Sequence, residues 1–149
     1  MIFLEFLSVG GSVVTIDESE WRNPQKWEKY IENYKITIWN SVPVLLEMLL
    51  EQNTLYNEGE KLDSLRLILL SGDWIRPELI RQAYTVISNA KVIALGGATE
   101  GSIWSNYFII PKEIPETWKA IPYGYPLENQ KYRIIDSEGK DCPDFAIGE

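Results

Sequence analysis

Apolar residues in the first two thirds of the chain alternate between short continuous runs and longer stretches with helical spacing. The longer stretches predict helices that begin near Pro24, Pro43 and Pro77, because proline is favoured in the first turn of a helix. Strands that alternate with amphipathic helices are typical of a parallel α/β sheet flanked by helices. The apolar runs predict strands at residues 12–16, 36–39, 65–70 and 91–95.

The pattern changes near Ile103, where short alternating segments replace the helical spacing. We therefore predict one domain, with an α/β layer over residues 1–97 and a mostly β segment over 98–149. In the second segment, strands joined by turns are predicted at residues 103–110, 131–139 and 145–149, with a hairpin turn at 137–139.

Composition excludes several classes of function. The 149 residues are enough for one domain with a real core, and the formal net charge of −8 argues against a nucleic-acid surface. The chain has no histidine, which excludes Ser-His or Cys-His catalysis and any His-ligated metal site. The single cysteine, Cys142, cannot form an internal disulfide and fits a reducing, cytoplasmic compartment. No apolar run reaches membrane-spanning length, so no membrane partner is expected.

The stretch VIALGGATEGSIWS, residues 92–105, carries the strongest chemical signal. A buried strand is predicted to end at Gly96-Gly97, where the missing Cβ atoms let the backbone approach a ligand closely. Thr99 and Glu100 follow, and a hydroxyl beside a carboxylate suits a phosphate oxygen and a hard cation. The alternative is a tight turn with Thr99 as a helix N-cap and Glu100 in the first turn.

Several segments in order extend this signal along almost the whole chain. GGATE followed by GSIWSN, then IPYGYPLENQKYRIID and DCPDFAIGE, resembles the adenylation domains of nonribosomal peptide synthetases, in the acyl-adenylate-forming superfamily. The GGATE form resembles the branch that activates cysteine in cyclising modules. The segments IFLEFLSVGGSVV, WNSVPVLLEMLL and LRLILLSGDWI also resemble family segments and fall in family order.

The resemblance implies a nucleotide site at the glycine pair. Thr99 would contact the AMP phosphate as a catalytic residue, and Glu100, the second catalytic residue, would help to hold Mg²⁺. Many family members carry an asparagine and a tyrosine, which contact adenine, at the positions of Ala94 and Gly96, so these two contacts are absent here. The implied nucleotide-binding residues are Gly72, Asp73, Gly96, Gly97, Ala98 and Thr99.

The resemblance also implies a pocket for the amino-acid side chain. Leucine, isoleucine and tryptophan would make that pocket small and apolar, while Ser71 and Asn40 would offer polar contacts to a thiol. The alternative is that Leu69, Leu95 and Trp104 are ordinary core residues. The six implied pocket positions are Asn40, Leu69, Ser71, Leu95, Ile103 and Trp104, a set that resembles that of cysteine-activating domains.

Other parts of the family pattern are absent from this chain, including the glycine-rich triphosphate loop and the C-terminal domain with its catalytic lysine. We therefore expect an internal portion of the large adenylation subdomain, inactive alone, that works with the remainder of the domain and a carrier protein. Its substrates would be ATP and an amino acid, and its cofactors ATP/AMP and Mg²⁺. Two alternatives are a fragment of an aryl- or fatty-acid ligase and a catalytically inactive module kept for structure or as an exchangeable specificity subdomain.

Overall fold

The computed structural model describes residues 6–56, 62–98, 100, 103–144 and 146–147. Over these ranges the chain forms a mixed sheet with helices on one face, which confirms the predicted α/β class. The strands are β1 (Ile38–Ser41), β2 (Leu67–Leu70), β3 (Lys91–Gly96), β4 (Asn106–Ile110) and β5 (Tyr125–Pro126).

Each of the main helices begins at a predicted proline: α1 (Pro24–Tyr34), α2 (Pro43–Tyr56) and α3 (Pro77–Val86). Proline fits there because the first N–H groups of a helix have no partner within the helix. Asn23 caps α1, since its side-chain oxygen accepts a hydrogen bond from the Lys26 backbone N–H at 3.3 Å. Within the part of the chain that the structure describes, no helix is both long enough and apolar enough to cross a bilayer.

The strands lie in the order β1-β2-β3-β4-β5. β1, β2 and β3 are parallel, whereas β4 and β5 each pair antiparallel to the preceding strand. Because β1, β2 and β3 run in the same direction, their carboxyl ends lie together at one end of the sheet, which we call the site edge. β4 starts at that same edge, because Asn106 pairs with Gly96.

The core lies between the three helices and one face of the sheet, which we call the helix-covered face. Its strand residues are almost fully buried and pack against apolar side chains of α1, α2 and α3. The opposite face, which we call the open face, carries no helix among the described residues. The buried residues of the helix-covered face are Ile68, Leu70, Val92, Ala94 and Ile110; the open face carries Ile38, Leu67, Leu69, Ile93, Leu95, Tyr107 and Ile109.

Two strand predictions are wrong. Residues 12–16 form no strand, although Ile16 packs against the core, and within the described chain no backbone partner lies beside this segment. Residues 131–139 contain a single bridge, between Ile135 and Asp141, around the predicted turn. Alternating side chains permit a strand, but a strand also needs a neighbour to pair with. Of the predicted strand at 145–149, only 146 and 147 are described, and they are not in a strand.

Candidate functional site

The candidate site lies at the edge where the parallel strands end. The chain leaves β1 at Ser41, leaves β2 at Leu70 and leaves β3 at Gly96, and the loops after all three strands gather there. In sheets of this kind, ligands bind beyond the carboxyl ends of the strands. Each described residue that the sequence assigns to the substrate or the nucleotide falls on these strand ends or on the loops that follow them.

Three of the predicted pocket residues share the open face of the sheet. Asn40 and Leu69 are direct neighbours in register across β1 and β2, and Leu69 is in turn the neighbour of Ile93 on β3. Leu95 is two residues beyond Ile93 and therefore lies on the same face. Asn40 is exposed, whereas Leu69 is 9% exposed. The topology thus brings Asn40, Leu69 and Leu95 to one face near the site edge.

The loop after β2 supplies Ser71, Gly72 and Asp73. Ser71 extends the β1–β2 ladder, because its N–H donates to the Ser41 carbonyl at 3.2 Å. The Asp73 carboxylate accepts a hydrogen bond from the Trp74 N–H at 2.7 Å, which ties it to its own turn. Gly72 and Asp73 are both exposed at the edge, so they remain available to a ligand there.

The loop after β3 folds back onto the strand that it leaves. Gly97 has φ +152°, and a Cβ at this position would lie 2.6 Å from the Ile103 carbonyl oxygen and 2.9 Å from the Trp104 Cα. The Ile103 N–H donates to the Ala98 carbonyl at 3.2 Å, and the Ser105 N–H donates to Gly96 at 2.8 Å. Only glycine leaves room for this close return of the backbone. The glycine pair therefore brings Ile103 and Trp104 to the end of β3.

Ile103 and Trp104 differ in their surroundings. Ile103 is 38% exposed and has φ +78°. Trp104 is half-buried, and its indole N–H is buried without a hydrogen-bond partner among the described residues. A buried donor of this kind normally has an acceptor, and none of the described residues supplies one here.

Of the two residues predicted to contact the phosphate and the metal, the structure describes only one. Thr99 lies outside the described residues. Glu100 is described and exposed, which leaves its carboxylate free to meet solvent or a ligand. Within the described ranges, no group of three or more Cys, Asp or Glu side chains is placed to hold a metal ion by itself.

Sequence reasoning missed a group of side chains around Gly96. A Cβ on Gly96 would lie 2.4 Å from Oδ1 of Asn106 and 2.7 Å from the ring of Tyr123, so both side chains fill the space that glycine leaves. Asn106 is fully buried; its amide donates to the Tyr123 carbonyl, and its Oδ1 has no partner in the described part of the chain. The rings of Tyr123 and Tyr132 are 5.9 Å apart, and the Tyr132 hydroxyl is 2.8 Å from that of Ser105.

The same cluster sets the ionisation of Tyr123. Burial raises the pKa of its phenol, and the neighbouring Tyr132 adds to the effect. Tyr123 therefore stays neutral at physiological pH. The only sequence signal for the cluster is the glycine at position 96, and that signal does not say which later residue fills the space.

Known proteins of similar sequence and structure are much longer than this chain. The chain is 48% identical over 143 residues to the anguibactin system regulator of Vibrio anguillarum, a match that covers 96% of the chain and 14% of that relative. It is 37% identical over 145 residues to phenyloxazoline synthase MbtB of Mycobacterium tuberculosis, covering 96% and 10% respectively. The chain thus spans about a seventh or less of the length of these relatives.

A solved structure agrees with the fold. The nonribosomal peptide synthetase FmoA3, in its α-methyl-L-serine-AMP-bound form, superposes with a TM-score of 0.86 at 35% identity, covering 93% of this chain and 16% of that one. Its AMPPNP-bound form superposes with a TM-score of 0.81 at 36% identity, covering 87% and 14%. The family model described as AMP-binding enzyme matches residues 1–149, the full length of the chain. The chain therefore belongs to the AMP-binding enzyme family.

Proposed function

We propose that this chain is part of an adenylation domain of a nonribosomal peptide synthetase, which activates cysteine with ATP and passes it to a carrier protein. In this proposal the chain supplies the amino-acid pocket and one corner of the nucleotide site. The observation that carries it is the gathering of the strand ends, with Asn40, Leu69 and Leu95 on one face and Trp104 folded back beside Gly97. Similarity to FmoA3, solved with an aminoacyl-AMP, supports the reaction class.

The reaction would be acyl transfer to AMP. An oxygen of the substrate carboxylate attacks the α-phosphorus of ATP, the new O–P bond forms, and the bond to the β-phosphate oxygen breaks to release pyrophosphate. The chain's own contribution is to position the reactants: the open face would hold the amino-acid side chain, while Gly97 and Ala98 would lie along adenine. The hydroxyl of Thr99 would donate a hydrogen bond to an oxygen of the AMP phosphate.

The residues at this edge fit a magnesium ion bound together with ATP. Mg²⁺ in nucleotide sites commonly takes one or two carboxylates, and phosphate oxygens and waters complete its shell. Glu100 offers one such carboxylate, exposed at the site edge. The ion would neutralise charge on the phosphates as pyrophosphate leaves.

Cysteine is favoured over other substrates by the chemistry of the proposed pocket. Leu69, Leu95 and Ile103 have apolar side chains, and Ser71 and Asn40 would offer polar contacts to a thiol. Serine differs from cysteine by one atom, and a pocket of this kind separates near-isosteres by about 1–3 kcal/mol. Measurable activation of serine is therefore expected beside that of cysteine.

The test is to replace the corresponding segment of a complete adenylation domain with this chain and to measure amino-acid-dependent ATP–pyrophosphate exchange. The hybrid should prefer cysteine, while the isolated chain should show little exchange. Trp104→Ala should weaken cysteine activation and admit bulkier side chains, because a small ligand in a larger cavity loses packing contacts. Trp21→Ala is the matched control, since Trp21 is 60% exposed and outside the site.

Two results would contradict the proposal. If the hybrid activates another amino acid better than cysteine, the pocket assignment is wrong. If Trp104→Ala changes the substrate profile no more than Trp21→Ala does, Trp104 is a structural residue. Glu100→Gln tests the proposed magnesium ligand separately: the rate of ATP–pyrophosphate exchange by the hybrid should fall while its melting temperature stays unchanged.

A further inference from the structure

We propose that Tyr123 forms the aromatic wall on which the adenine base stacks, an assignment that rests on the proposed nucleotide site at Gly96–Ala98. Tyr123 comes from the segment before β5, well separated in sequence from the glycine pair. Its ring lies against the Cα of Gly96: a Cβ there would be 2.7 Å from Cε2 and 2.9 Å from Cζ. An aromatic ring therefore borders the proposed base site even though position 96 itself carries no side chain.

The backbone of Tyr123 is held firmly at this edge. The buried amide of Asn106 donates to the Tyr123 carbonyl, and Asn106 is itself the register partner of Gly96. Two residues later, Tyr125 pairs with Tyr107 in the sheet. The ring is thus mounted on a fixed backbone, which lowers the entropy cost of stacking on a ligand.

The ring is nevertheless accessible. Tyr123 is 62% exposed, so its contact with Gly96 uses a minor part of the side chain. Among the described aromatic rings its neighbour is Tyr132, with the ring centroids 5.9 Å apart, and the remaining ring surface is open to solvent. An exposed aromatic ring on a fixed backbone, at the carboxyl edge of a parallel sheet, is suited to a purine, because every base presents a π-face.

The chemistry expected of the ring is stacking and not hydrogen bonding. Stacking depends on the aromatic face, which phenylalanine also has, and not on the phenol hydroxyl. The prediction is therefore specific: Tyr123→Phe should retain base binding and Tyr123→Leu should weaken it. The exposure of the side chain makes both variants compatible with folding.

The experiment titrates the 149-residue chain with AMP and with ribose 5-phosphate, which lacks the base, and follows both by two-dimensional NMR. Both probes should shift the amide signals of Gly97 and Ala98, and only AMP should shift the Tyr123 ring protons. Tyr123→Leu should weaken AMP binding about tenfold, the typical effect of one lost stacking contact, and should leave ribose 5-phosphate unaffected. Tyr123→Phe should bind AMP as the unchanged chain does.

The two possible failures are distinguishable. If AMP shifts Gly97 and Ala98 but neither shifts the Tyr123 ring nor binds more weakly to Tyr123→Leu, the stacking role is wrong and the nucleotide site stands. If neither probe shifts Gly97 or Ala98, the nucleotide site itself is wrong, and the role of Tyr123 is rejected with it. The ring shifts are measured on the unchanged chain, so the result does not depend on how a variant folds.

Discussion

The two faces of the sheet are built from similar residues, but one face is buried and the other is partly exposed. On the helix-covered face, Ile68, Leu70 and Val92 are completely buried under the helices. On the open face, Ile109 and Tyr107 remain 46% and 36% exposed although they are apolar or aromatic. The predicted pocket residues of the three parallel strands all lie on the open face. The difference indicates that one face holds the chain together, while the other leaves apolar surface available to a ligand or a partner surface.

Adjacent isoleucines on β4 offer the sharpest test of this difference. Ile110 is 2% exposed in the core and Ile109 is 46% exposed on the open face. Ile110→Ala should lower the free energy of unfolding by about 2–5 kcal/mol, because it leaves a cavity. Ile109→Ala should cost less than about 1 kcal/mol, since little buried area is lost. Urea unfolding of both variants measures the contrast, and equal losses would mean that both faces are covered in solution.

The glycines allow a second comparison, between a crowded turn and an open one. Gly97 has φ +152° with backbone atoms within 3 Å of a Cβ, whereas Gly139 has φ +77° with nothing within 4 Å. Gly97→Ala should cost about 3 kcal/mol, because overpacking adds to the unfavourable dihedral. Gly139→Ala carries only the dihedral cost of about 1–2 kcal/mol. Thermal unfolding of both variants tests this, and a Gly97→Ala loss no larger than that of Gly139→Ala would rule out the close return of the loop.

A smaller contrast is expected between two tyrosines. The hydroxyl of Tyr84 on α3 donates to the Ile110 carbonyl at 2.6 Å, which links the helix to β4. Tyr84→Phe should cost about 1 kcal/mol, the usual net contribution of such a bond. Tyr107→Phe, on the open face, should stay within about 0.5 kcal/mol of the unchanged chain. Chemical denaturation of the pair gives the answer; a neutral Tyr84→Phe would mean that water replaces the bond at no cost.

The smallest effect concerns Tyr30 on α1 at high pH. A hydrogen bond to Glu20, at 2.7 Å, is the main reason why the pKa of Tyr30 is raised to about 12, and burial adds to it. Because the folded pKa exceeds the ordinary value near 10, this contribution is complete below pH 10 and is lost as the pH rises towards 12. Stability measured between pH 9 and 12 should therefore fall more steeply for the unchanged chain than for Tyr30→Phe. Parallel curves would show that the bond contributes nothing.

The same comparison explains what the sequence could and could not predict. The helix starts at Pro24, Pro43 and Pro77 were predicted correctly, because a proline at a helix start acts locally. The runs at 65–70 and 91–95 were also placed well, since they are buried between two neighbours. The segment 12–16 has a similar apolar pattern but no neighbour among the described residues, and pairing is not a local property.

The site also has one part that the sequence could predict and one part that it could not. The sequence predicted a close approach at the glycine pair, because the lack of a Cβ can be read directly from it. The predicted neighbour was a ligand, whereas the group that approaches Gly97 in the structure is the chain's own backbone at Ile103 and Trp104. Asn106 and Tyr123 could not be assigned to the site, since their position depends on the register of β4 and β5. The roles of the pocket and phosphate residues stay predictions until ligand experiments test them.

The backbone of Ile103 has a consequence for how this loop balances folding against function. Its φ of +78° is rare for a residue branched at Cβ and stores about 1–3 kcal/mol of strain. A glycine at this position would relieve that strain but would leave no side chain at the site. An isoleucine held in this conformation therefore trades stability for an apolar group at the proposed substrate pocket. Variants selected only for stability would be expected to change this position early and to lose substrate selectivity as they do so.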